Sequence, residues 1–95
     1  MISHLKARIP VVLFKEGKNV VAYCPILDLS SCGSTIQEAQ RRFASAADAF
    51  LGELKEMGTL HEVLTSLGWH KAGHPRKKWI PPHIVKKTQL VSIPA

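Results

Sequence analysis

The chain has 95 residues, 45% hydrophobic and 21% charged, with a formal net charge of +6. That length allows one small domain with an extension, and a modest core that buries roughly 60–65% of the unfolded surface. No run reaches the roughly 18 apolar residues of a membrane span. Met1–Lys6 lacks an export pattern, so Cys24 and Cys32 read as reduced thiols of a cytoplasmic protein.

Leu5–Lys15 is rich in Val and Ile and reads as a first strand, with Pro10 marking an edge or a bulge because proline cannot donate to a ladder. Glu16-Gly17-Lys18-Asn19 has turn chemistry and joins it to a second strand, Val20–Cys24, as a hairpin. Pro25 stops that strand, and a third is expected over Leu27–Cys32.

The next segment carries a helical pattern. Ile36, Ala39, Phe43, Ala46, Ala47, Phe50, Leu51, Leu54 and Met57 recur at spacings of three and four, which places them on one face. Thr35 with Glu38 forms a capping box, and Gly58 suits the left-handed residue that ends a helix. Thr59 with Glu62 is expected to cap a short second helix whose Leu60, Val63, Leu64 and Leu67 form an apolar face; Gly68 ends it, and Trp69 packs back on it. His70–Pro82, with three prolines and four basic residues, reads as a linker. Thr88–Ile93 alternates and reads as one final strand.

These elements predict an α+β fold, a small three-stranded antiparallel sheet packed on one long helix with a short second helix. Residues 1–69 form the domain, and residues 70–95 form a basic, proline-containing extension. Charge follows the same division. Residues 1–68 carry seven basic and seven acidic side chains, whereas residues 69–95 carry six basic side chains and no carboxylate, so the whole +6 lies there.

Val20–Asp28, the Gly33-Ser34-Thr35-x-x-Glu38-Ala39 junction and the helix after it resemble the HicB family of antitoxins. The resemblance runs from about Ile9 to Trp69, and Gly58–Trp69 fits one branch of the family. It implies a partial ribonuclease-H-like fold and a non-enzymatic role in a toxin–antitoxin system. The protein partner it implies is a HicA-type toxin, a small ribonuclease that cleaves messenger RNA, whose active surface the antitoxin covers. Many family members add a helix-turn-helix or ribbon-helix-helix module that binds promoter DNA. Residues 70–95 are too short and proline-rich for the first and lack the two helices of the second. An inhibitor of an RNA-binding toxin is expected to be acidic; with a neutral body, the contact is expected to be mainly apolar.

Individual residues sharpen these alternatives. A ribonuclease-H-like nuclease needs several carboxylates converging on metal ions, and Asp28 is the only aspartate in the strand region. Cys24 and Cys32 lack the short gap of a zinc knuckle, and His70 with His74 adds a weak pair; no metal site or cofactor is expected. If Ala22 and Cys24 face the helix, Val21 and Tyr23 face the other side of the sheet beside Pro25. One helix leaves that side open for a toxin or for a second copy of the chain, unless the second helix and the tail cover it. Trp79, Ile80 and Pro81 form an aromatic, extended segment that suits a partner contact or packing on the chain's own surface. Arg76, Lys77 and Lys78 beside Trp79 suit nucleic-acid phosphates with stacking, or a solvated run. The readings that stand beside the antitoxin are therefore a nucleic-acid-binding accessory protein acting through the tail and an orphan structural oligomer. Open sheet edges and a detachable final strand also predict homo-oligomers.

Overall fold

A computed structural model describes residues 7–94. Its first three strands are β1 (Val12–Glu16), β2 (Asn19–Cys24) and β3 (Leu29–Gly33), which form an antiparallel meander in that order. The Gly17-Lys18 turn has a positive φ at its first central residue, Gly17 (63°), as a tight hairpin of type II′ requires. It sets the register Glu16 to Asn19, Phe14 to Val21 and Val12 to Tyr23. β1 begins after Pro10 rather than at Leu5, and Leu5 and Lys6 lie outside the described residues. β3 starts two residues later than expected, because Pro25-Ile26-Leu27-Asp28 forms a loop that drops Ile26 and Leu27 into the core. Asp28 closes the loop with φ 50°, a left-handed conformation that Asp tolerates better than most residues.

The long helix α1 (Ile36–Glu56) follows β3 after two residues. Thr35 Oγ1 accepts from the Glu38 N–H at 3.1 Å. The return arm of the expected box is displaced by one residue: Glu38 Oε1 accepts from the Ser34 N–H at 3.1 Å. Gly33 makes the tight junction feasible, since a Cβ there would lie 2.7 Å from the Ala39 nitrogen. Ala39, Phe43 and Ala47 bury against Val20, Ala22 and Cys24 of the sheet. Ile36 and Met57, at the two ends of the predicted apolar face, are exposed. Twenty-one helical residues span about 31 Å, against about 20 Å for a six-residue strand, so α1 overhangs the sheet.

Gly58 (φ 74°) ends α1, and the Thr59 N–H donates to the Leu54 carbonyl at 2.9 Å, a Schellman closure. That closure alters the start of α2 (Leu60–Ser66). Thr59 is not extended, its hydroxyl donates back to Leu54 O at 3.4 Å, and the expected second capping box does not form. Leu64 of α2 and Trp69 complete the core, and Trp69 Nε1 donates to the Ile26 carbonyl at 2.7 Å. One bond thus ties the end of the domain to the β2–β3 loop.

The extension departs furthest from expectation. His70–Pro82 is not a linker but holds an antiparallel ribbon of β4 (His70–Ala72) and β5 (Lys78–Ile80), with Lys71 opposite Trp79. Beyond it, Thr88–Ile93 forms no strand. Alternation gives a segment two faces but no hydrogen-bonding neighbour, and Leu90 is 98% exposed. The radius of gyration, 15.9 Å, exceeds the roughly 12 Å of a compact chain of this length, because this tail leaves the body. No helix among the described residues is long and apolar enough to cross a membrane.

Candidate functional site

The register of the meander sorts the sheet into two faces. Leu13, Ala22 and Ser31 form a transverse row on the inner face, toward α1. Val12, Tyr23 and Ser30 form a row on the outer face, and Phe14, Val21 and Cys32 form the next. None of these six outer residues is charged. Val12 and Phe14 remain 49% and 45% exposed, so no described segment covers this face; α2 and the extension pack elsewhere. Val21 and Tyr23 are half-buried by their neighbours in the rows, and Pro25 is exposed in the adjoining loop.

Tyr23 is fixed on this surface. Its hydroxyl donates to Asp28 Oδ1 at 3.1 Å. This bond raises the phenol pKa above its ordinary value, because losing the proton would remove the bond and set two negative oxygens together. Asp28 therefore serves the loop and the Tyr23 ring. No group of three or more His, Cys, Asp or Glu among the described residues is placed to hold a metal ion. Cys24 is buried on the inner face and Cys32 is exposed on the outer one, so the sheet separates the two thiols.

At the edge of β1, mainly on the helix side of the sheet, lies a shallow groove of about 180 Å³ lined by Leu13, Lys15 and Val20 with Ile36 of α1, and Phe14 of the outer face borders it. Among the described residues β1 has β2 as its only strand neighbour, which leaves an edge for strand addition. Sequence reasoning identified Val21 and Tyr23 but missed Val12, Phe14 and Ile36. The two-residue turn was the available signal, since counting back from Glu16 and Asn19 places Phe14 and Val12 beside Val21 and Tyr23.

The other candidates lie on a different element. Trp79 is half-buried, with its ring 5.4 Å from that of His61 in α2 and Lys71 Nζ 5.0 Å from its centroid. Pro81 is half-buried and Ile80 exposed. Trp79 and Pro81 thus pack on the chain's own surface. Arg76, Lys77 and Lys78 are exposed on the β4–β5 ribbon. Comparison with known proteins adds no relative: no family model, curated protein or solved structure matches the chain significantly.

Proposed function

We propose that this chain is a HicB-like antitoxin, a non-enzymatic cytoplasmic protein that binds a HicA-type ribonuclease and blocks its catalytic surface by steric occlusion. The observation that carries the reading is the uncharged outer sheet face around Val12, Phe14, Val21 and Tyr23, which a protein of this size leaves uncovered. Burying an apolar side chain of this size contributes roughly 1.5–3 kcal/mol when it is fully exposed beforehand, and proportionately less for these half-exposed ones. An apolar contact also suits a neutral body facing a basic toxin. The same face and the free edge of β1 support homo-oligomers in the absence of toxin.

The test is co-expression with the toxin encoded beside this gene. The chain is expected to restore growth and to co-purify with the toxin. Phe14→Asp is expected to abolish both while leaving the far-ultraviolet circular dichroism unchanged. Persistent growth arrest with no co-purification by the unmodified chain removes the proposal.

A further inference from the structure

We infer that the β4–β5 ribbon is a binding site for the phosphate backbone of duplex nucleic acid. Four observations converge on it. The first is charge without compensation. Residues 69–95 contain six cations and no carboxylate, and the ion pair found among the described residues, Arg42 with Glu38 at 3.3 Å, lies elsewhere on α1. Arg76, Lys77 and Lys78 are exposed and clustered at the tip and on the second strand of one ribbon.

The second observation is preorganisation. A charge run on a solvated tail loses chain entropy when it binds, but this ribbon is already held. Trp79 docks against His61 of α2, Lys71 lies over the same ring, and Trp69, just before β4, is buried and bonded to Ile26 O. The cations therefore project from a fixed support.

The third observation concerns which nucleic acid is bound. Proteins that grip single strands stack bases on free aromatic faces. Trp69 is buried and Trp79 is occupied by His61 and Lys71, and residues 70–95 contain no Phe or Tyr. Trp79 is half-buried and already engaged, which makes it a poor stacking platform, and the site offers mainly charge and backbone geometry. Duplexes offer one phosphate per roughly 1.7 Å of axis, and the major groove of DNA admits a two-stranded ribbon. Fourth, the segment after β5 forms neither helix nor strand and carries exposed Lys86 and Lys87, a second cationic stretch that can follow the backbone from the ribbon. This inference does not depend on the toxin-binding reading, which uses the outer sheet face.

The experiment is fluorescence anisotropy of the full chain with a short labelled DNA duplex, a matched RNA duplex, a single strand of the same sequence, and phosphatidylserine-containing vesicles. Three to five phosphate contacts predict that duplex affinity falls roughly 40- to 500-fold between about 50 and about 200 mM salt. The triple variant Arg76→Gln, Lys77→Gln, Lys78→Gln is expected to flatten the log–log salt slope by roughly three. Lys77→Gln alone is expected to flatten it by about one, which keeps the test open if the triple variant misfolds. Lys15→Gln with Lys18→Gln, on the other hairpin, should leave the slope unchanged. Absence of duplex binding at about 50 mM salt, an unchanged slope in folded ribbon variants, or tighter binding to the single strand or the vesicles overturns the inference.

Discussion

The two halves of this molecule are built on opposite terms. Residues 12–69 form layers, with one face of a sheet and one face of a helix closing over Ala22, Cys24, Phe43 and Leu64. Across residues 1–68, seven positive and seven negative charges cancel. Residues 70–94 have no layer of their own. They are held to the body by Trp79 and by half-buried prolines such as Pro82, whose Cβ lies 3.4 Å from where a side chain on Gly68 would begin. The body leaves an uncharged sheet face uncovered, and the extension presents cations. The difference shows how a small chain can carry two unlike surfaces. A packed body can leave an apolar face open, while a ribbon fastened by one aromatic ring concentrates charge that a neutral core could not accommodate.

The sharpest way to break this division is at Trp69, where the body ends and the extension begins. Trp69→Ala is expected to cost about 3–5 kcal/mol in urea unfolding, since it opens the core and orphans the Ile26 carbonyl. Gly33→Ala should cost about 1–3 kcal/mol, because a methyl group there meets the Ala39 nitrogen at 2.7 Å. Its effect belongs to the body alone, so exchange protection of β4–β5 should change only with global stability. Trp79→Ala does the reverse. Losing the ring pair and the cation–π contact should cost about 1–2 kcal/mol, with faster amide exchange in the ribbon and unchanged exchange in α1.

Removing residues 86–95 should change the unfolding free energy by less than about 0.5 kcal/mol, because side chains 86–94 are exposed. If Leu90 and Ile93 support self-association at open strand edges, the same truncation should lower the mass seen by light scattering; a clean monomer for the full chain counts against that association. The smallest effect is expected at Glu38. The Ser34 N–H and then Arg42 hold its carboxyl below the ordinary carboxylate range. Stability from this group is therefore full above the unfolded carboxyl pKa of about 4.3 and fades as pH falls through the lower folded value. Glu38→Gln should remove that acid-side slope and leave the neutral-pH profile parallel to that of the parent.

Much of the body was legible in order and type. Gly17 marked the hairpin, Pro25 the end of β2, and the spacing from Ala39 to Leu54 the buried stripe of α1. What misled was chemistry used for a different purpose. Thr59 has the spacing of a capping residue, yet the Schellman closure of α1 takes its N–H and its hydroxyl. Leu27 read as the first residue of the third strand because it is apolar, but it is buried, like Ile26, from a loop. The open face was legible in part. Val21 and Tyr23 followed from alternation in β2, whereas Val12 and Phe14 required the register of a second strand.

By itself the sequence determined what depends on neighbours along the chain: the turn at Gly17, the stop and start of α1, the stripe that it buries, and the confinement of net charge to the last 27 residues. Only the tertiary structure decided what depends on distant partners. It turned a proline-rich stretch into a ribbon by placing Trp79 on His61, and it left the alternating Thr88–Ile93 without a strand to pair with. The reason is physical. Helices close their hydrogen bonds within one segment, whereas a strand exists only where another backbone lies beside it.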